Sequence, residues 1–152
     1  VSGDEFFMRQ AIGLAREAAA EGEVPVGALV VRGGVVVARG RNRRETVRNA
    51  LSHAELEAIG SACAALGGWR LPECDLYVTL EPCPMCAGAA INARIRRVVF
   101  GAHDPKAGSC GSVVDLFQFP YNHHPEAVGG VLEEECASLL TDFFRRLREK
   151  RS

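Results

Sequence analysis

The chain opens with apolar residues spaced three or four apart. Met8, Ile12, Ala15 and Ala19 recur on one face, after Ser2 and Glu5 in capping-box spacing. This predicts an amphipathic helix that stops near Gly22, its stripe turned to a core. The pattern then changes to β-branched runs, residues 24–32 and 35–41, divided by Gly33-Gly34. Adjacent glycines take the positive φ angles of a tight turn without steric cost, so the two runs read as a β-hairpin. Helical spacing resumes at Ser52 or His53, runs through Ile59 and Cys63, and ends at Gly67-Gly68. Residues 76–80 read as a buried strand. Pro84, at a position that needs no amide donor, opens a further helix to about Asn92, and residues 97–101 form another strand.

Residues 102–112 show no period and are expected to form a loop, the kind of segment that often carries function. Residues 113–125 are ambiguous. Residues 127–132 read as a weak strand broken by Gly129-Gly130, and Cys136, Leu139, Leu140, Phe143 and Leu147 mark a last helix. Strands alternating with helices on this spacing predict a sheet covered on both faces, with parallel pairing after the hairpin. No repeat, low-complexity tract or linker interrupts the chain, so residues 1–152 read as a single domain. With 47% hydrophobic residues it can bury a core without disulfides.

Charge adds little at the global level. Lys and Arg total 18 against 19 Asp and Glu, so nucleic-acid binding would have to be local. Three basic clusters offer themselves: Arg39, Arg41, Arg43, Arg44 and Arg48; Arg94, Arg96 and Arg97; and Arg145, Arg146, Arg148, Lys150 and Arg151. Each taken alone is better read as a solvated face or, for the last, a fraying tail. No apolar run reaches membrane-spanning length and the start lacks a secretory pattern, so a cytoplasmic location with reduced thiols is expected.

Two short motifs carry chemistry. His53-Ala54-Glu55 lies at one predicted helix start, and Pro82-Cys83-Pro84-Met85-Cys86 opens another. Helix N-termini offer unpaired amides and partial positive charge, which favour thiolate and hence zinc ligation. Cys83 and Cys86, three apart on a helical turn, point the same way, and His53 makes a third ligand. Three protein ligands leave the fourth tetrahedral position of Zn2+ to water, the arrangement of a catalytic site, and the bound water's pKa falls to about 7. Cys63, Cys74, Cys110, Cys136, His103, His123 and His124 could close that position, but none forms a second tight pair. Glu55 could take the water proton and pass it to substrate. Two alternatives stand: Ser52 and Glu55 also fit a capping box, and Cys-x-x-Cys alone also fits a redox pair. Residues two apart diverge on a regular helix, so His53 and Glu55 reach one site only if His53 sits at an irregular first turn. His-x-Glu combined with Pro-Cys-x-x-Cys is the known signature of zinc deaminases acting on nucleobases.

Further motifs extend the comparison along nearly the whole chain: Val24-Pro25-Val26-Gly27-Ala28, Gly40-Arg41-Asn42, Leu80-Glu81 before the cysteine motif, residues 101–109, Asn122-His123 and Phe143-Phe144. With these the sequence resembles the bacterial tRNA-specific adenosine deaminases, which convert the wobble adenosine of an anticodon to inosine. The resemblance implies a three-layer α/β/α sandwich with a five-stranded mixed sheet, one zinc ion per chain, a homodimer, and a tRNA anticodon stem-loop bound with its adenosine flipped into the zinc pocket. By matched position it implies that Asn42 bonds the base edge, Val26 packs on the base, and the Ala54 amide lies near the reacting carbon. Asp104, Lys106 and Phe144 would then meet neighbouring nucleotides. Read without the resemblance, Asn42 could simply end the hairpin and Asp104-Pro105 form a turn. His103 and Cys110 depart from the familiar pattern in the loop. The rival readings are a deaminase of a free base or nucleoside, of guanine or cytosine type, and a non-catalytic zinc-stabilised nucleic-acid-binding module.

Overall fold

The structure is a computed structural model that describes residues 2–151. Val1 and Ser152, the ends of the expected domain, and the side chain of Ser2, on which the expected capping box rests, lie outside the described residues. In chain order the elements are α1 (Ser2–Ala20), β1 (Gly27–Arg32), β2 (Val35–Arg41), the single-turn α2 (Arg44–Val47), α3 (Ala54–Leu66), β3 (Cys74–Leu80), α4 (Pro84–Asn92), β4 (Arg97–Ala102), a short 3-10 helix (Leu116–Gln118), β5 (Glu126–Val128) and α5 (Glu133–Arg151).

The five strands form one mixed sheet in the order β2-β1-β3-β4-β5. Gly33 and Gly34 adopt φ of 57° and 78°, closing the β1–β2 hairpin as their sequence predicts. Residues 24–26, expected in the first strand, stay outside it. Parallel pairing begins one strand later than expected. The other edge of β1 takes β3 antiparallel, and only β3–β4 and β4–β5 are parallel. The reason is the connection through α3, which joins β2 to β3. Those two strands run the same way, and the helix crosses over β1, which lies between them antiparallel to both.

Alternation along the strands divides the core in two. Ala28, Val30, Leu76, Val78 and Val98 share one buried cluster with Ala54, Ala58, Ala87 and Ile91 of α3 and α4. Leu29, Val31, Tyr77 and Val99 face the other way, onto Met8 and Ile12 of α1 and Cys136 of α5. The result is the expected α/β/α sandwich, with the chemistry-bearing helices α3 and α4 on the same face. The buried stripe of α1 is Met8, Ala11, Ile12, Ala15 and Ala18. Ala18 takes the place expected for Ala19, which is half-buried, because the helical period carries the stripe from Ala11 and Ala15 to Ala18.

Two of the second basic cluster's arginines are spent inside the fold. Arg97 donates to Asp4 Oδ1 at 3.0 Å and Asp75 Oδ2 at 3.1 Å, and Arg96 is bidentate on Asp75. Tyr77 completes the group by donating to Asp4 at 2.6 Å, so α1 is tied to β3 and β4. Arg94 donates to the carbonyls of Ile91 and Asn92 at the end of α4. Arg97 is half-buried by its bonds, whereas Arg96 remains exposed.

The site-bearing helix sits unusually close to the sheet. A Cβ at Gly40 would overlap the Ala54 carbonyl oxygen and come within 2.7 Å of the Ala58 amide nitrogen, so only glycine lets the first turn of α3 rest on β2. Gly40→Ala is therefore expected to destabilise the fold by about 1–3 kcal/mol through overpacking, read as a lower urea midpoint at unchanged slope.

Candidate active site

Each motif enters its helix through an extended residue. His53 caps α3 with φ −81° and ψ 150°, and Cys83 caps α4 with φ −73° and ψ 175°. Neither side chain bonds its own helix amides, so both are turned outward. His53 Nδ1 lies 3.7 Å from Cys83 Sγ and 3.5 Å from Cys86 Sγ, and the three donor atoms fall within 4.8 Å of one another. Among the described residues no further His, Cys, Asp or Glu joins that group. The sequence rivals are engaged elsewhere: His103 with Glu133 at 2.7 Å, His123 with the Ile95 carbonyl at 2.7 Å, and His124 with the Phe119 carbonyl at 2.8 Å. All six cysteines are free thiols, and Cys74, Cys110 and Cys136 are buried.

The donor set fits a divalent ion that prefers sulfur and nitrogen. A hydrogen bond from the Cys86 thiol, opposed by burial and joined by one from His53, holds Cys83 down to about 4, while Cys83 and burial push Cys86 up. A thiolate and a thiol thus share a proton against an imidazole. A cation at that point would displace the proton and hold both sulfurs as thiolates.

Glu55 is buried beside this group, 4% exposed. Burial lifts its carboxyl to about 7, with its own backbone amide and His53 opposing the rise. The capping-box alternative does not form. The Ser52 amide that Glu55 would have to accept is donated to the Asn49 carbonyl at 3.1 Å, and the cap is His53, which puts Glu55 one position too early. The extended conformation of His53 also supplies the irregular first turn that the two-residue spacing demands.

A cleft of about 720 Å³ opens over these residues. Its lining includes all six residues expected to meet substrate, Val26, Asn42, Ala54, Asp104, Lys106 and Phe144, together with His53, Glu55 and Cys83. Cys86 lies buried beneath them. Two of the six also have the plain structural roles that sequence allowed. Asn42 Nδ2 donates to the Val24 carbonyl at 3.1 Å and its Oδ1 accepts from the Arg44 amide at 3.3 Å, closing the hairpin end and leaving one N–H for a ligand. Asp104 Oδ1 accepts from the amides of Lys106 and Ala107 at 3.0 and 3.2 Å, a side-chain turn.

Three residues at or behind the cleft were assigned no role there from sequence. Arg44 lines the cleft from α2, a single turn too short to show periodicity. Glu23, 1% exposed, holds α2 by accepting from the Glu45 amide at 3.1 Å and from the Thr46 amide and hydroxyl at 2.6 Å each. Glu81, 2% exposed, accepts from the amides of Asp104, Cys110 and Ser112 and from the Ser112 hydroxyl. The available signal was an acidic residue inside an otherwise apolar strand end, Leu80-Glu81-Pro82.

A model of the MafB19-like deaminase family matches residues 2–148. The tRNA-specific adenosine deaminase of Bacillus subtilis (strain 168) is 52% identical over 149 residues, spanning 97% of this chain and 92% of that protein. This chain belongs to that deaminase family. Its counterpart in Agrobacterium fabrum (strain C58 / ATCC 33970) is 49% identical over 143 residues, 93% of this chain and 94% of that one. A structure from work on A-to-I editing by tRNA:A34 deaminases superposes with the deaminase at a TM-score of 0.85 and 48% identity, covering 89% of it and 99% of the other chain. A guanine deaminase from Nitrosomonas europaea is more distant, with a TM-score of 0.77 and 26% identity over 91% of this chain and 83% of its own. The donor geometry predicts one transition-metal ion per chain by elemental analysis. Replacing Cys86, as Cys86→Ser, should lower retention under a competing chelator by tenfold or more, on the order of 10–100-fold being the usual cost of disturbing a metal shell.

Proposed function

We propose that this deaminase hydrolyses the wobble adenosine of a tRNA anticodon to inosine and releases ammonia. The observation that carries the reading is the joint placement of Glu55 and the His53, Cys83 and Cys86 donors beneath a cleft whose walls hold every residue matched to substrate contact. Support from similarity is specific, because the relatives matched at about half identity and over nearly their full length are tRNA-specific adenosine deaminases, while the guanine deaminase of Nitrosomonas europaea shares about a quarter of its residues.

His53, Cys83 and Cys86 would hold one zinc ion. When bound, the ion supplies a Lewis acid that makes hydroxide available from water near pH 7. Glu55 moves the protons: it accepts one from the attacking water and delivers it to the purine ring nitrogen, then takes the proton of the newly added hydroxyl, as that becomes the carbonyl, and gives it to the amino group, which departs as ammonia. Glu55 is buried against the donor group and lines the cleft, where a carboxylate can reach both the attacking water and the base. The Ala54 amide, unpaired at the first turn of α3, faces the position of the reacting carbon. Val26 packs on the base and the remaining Asn42 N–H bonds its edge.

The flanking nucleotides meet Asp104, Lys106 and Phe144 on the far wall, with Phe144 41% exposed and free to stack. Arg146, Arg148, Lys150 and Arg151, exposed on the last turns of α5, offer phosphate contacts beyond it. The chain acts as a single deaminase domain, as a homodimer, in the cytoplasm where its tRNA substrate resides. No helix among the described residues is long and apolar enough to cross a membrane.

The test is ammonia release on an anticodon stem-loop with adenosine at the wobble position. Glu55→Gln should keep its metal and lose on the order of 10²–10⁴ in kcat, the usual contribution of a positioned acid-base group. Robust turnover of free guanine or cytosine, with none on that RNA, would reassign the substrate. Full activity in Glu55→Gln would remove the proton role.

A further inference from the structure

We infer that Glu81 is a positioning residue for substrate binding: its buried carboxylate is the pin around which the wall of the cleft carrying Asp104 and Lys106 is assembled. The inference rests on the function proposed above for what that wall binds, but its structural half does not.

The geometry is unusual for a carboxylate so fully removed from water. Glu81 immediately follows β3, and its own amide donates to the Ala102 carbonyl at 2.8 Å, fixing the backbone against β4. One carboxyl oxygen accepts from the Asp104 amide at 3.0 Å and the Ser112 hydroxyl at 2.5 Å. The other accepts from the amides of Cys110 and Ser112 at 3.1 and 3.0 Å. Among the described residues no cation pairs with it, and its partners are amides and a hydroxyl of one loop. The loop in turn closes over the carboxylate at Gly108, where a Cβ would overlap the Glu81 carboxyl. The Ser109 amide reaches back to the Pro82 carbonyl at 2.9 Å.

The segment so held is the one that lines the cleft. Residues 103–107 reach the cleft wall, and their local turn is set by Asp104, whose amide is itself bound to Glu81. The carboxylate therefore does for an irregular loop what a ladder does for a strand. Four donors converge on one anion, so the loop has a single arrangement in which none of them is left unpaired. Lys106 is placed on the wall by that arrangement, two residues from the anchored amide. Glu81 is also two residues before Cys83, so the same short stretch fixes the metal-side turn and the opposite wall.

Glu81→Gln keeps the size but turns one acceptor into a donor facing donors. Two measurements on the full chain test it. In hydrogen exchange, the amides of Asp104, Cys110 and Ser112 should exchange at least about tenfold faster than in the parent protein, whatever the substrate. In kinetics on the anticodon stem-loop, KM should rise by about tenfold with kcat within about twofold and metal content unchanged. Lys106→Ala, which raises KM in the parent, should add little in the Glu81→Gln background, because the wall that presents it is already loose. Should Glu81→Gln not fold, Ser112→Ala, which deletes one donor only, is expected to move both readouts in the same direction by about threefold. Unchanged exchange in a folded variant, a loss confined to kcat, or fully additive effects with Lys106→Ala would overturn the assignment. Accelerated exchange in Glu81→Gln, together with a parent protein that leaves RNA untouched, would instead retain the pin and reject the RNA reading.

Discussion

Two helix starts face each other at one end of the sheet, and the structure depends on their being held there. His53 and Cys83 are both extended residues immediately before a helical turn, and this conformation lets side chains two and three residues apart converge instead of fanning around a cylinder. The convergence is possible because α3 rests on β2 at Gly40 with no side chain between them. It also requires β3 and β4 to run parallel, so that α4 returns along the same face as α3. On the opposite layer α1 is held to the sheet independently by Asp4, Arg97 and Tyr77, while α5 packs on it through Cys136.

Electrostatics in the site follow from that crowding. Two sulfurs and a carboxylate lie together beside an imidazole, in a place where burial penalises charge. The consequences are a carboxyl that titrates near neutrality and a pair of thiols that divide one proton unequally. A cation would resolve the conflict for the sulfurs, and the proposed reaction uses Glu55 as its proton carrier. Away from the metal, two further buried carboxylates, Glu23 and Glu81, are satisfied by backbone amides and have ordering as their work: one sets α2 with Arg44, the other sets the loop with Asp104 and Lys106. Each acid is buried for a reason that its partners disclose.

Much of this was legible from residue order alone. Gly33-Gly34 announced the hairpin, Gly67 the end of α3, and Pro84 the start of α4, because each reports a backbone conformation that other residues avoid. The zinc-type donor set was equally readable, since ligand chemistry restricts residue type as well as spacing. What failed to show was tertiary in origin. The antiparallel place of β3 beside β1 depends on α3 crossing a strand, which no local period records. The four-residue α2 is too short to carry a pattern, and β5 keeps only Glu126–Val128 where the sequence reads a weak strand over 127–132. Whether Glu55 served a cap could be decided only by seeing where the Ser52 amide goes. Arg96 and Arg97 looked like surface charge because their partners, Asp4 and Asp75, are distant in sequence.

In the proposed reaction these donors and Glu55 bring solvent oxygen to the carbon bearing the amine of a wobble adenosine. Nucleoside mass spectrometry of a tRNA reacted in water enriched in oxygen-18 tests it directly. One inosine per anticodon, carrying one heavy oxygen and formed only at the wobble position, is the predicted result. Absence of inosine from an intact, metal-loaded protein, or inosine without the solvent label, would contradict it.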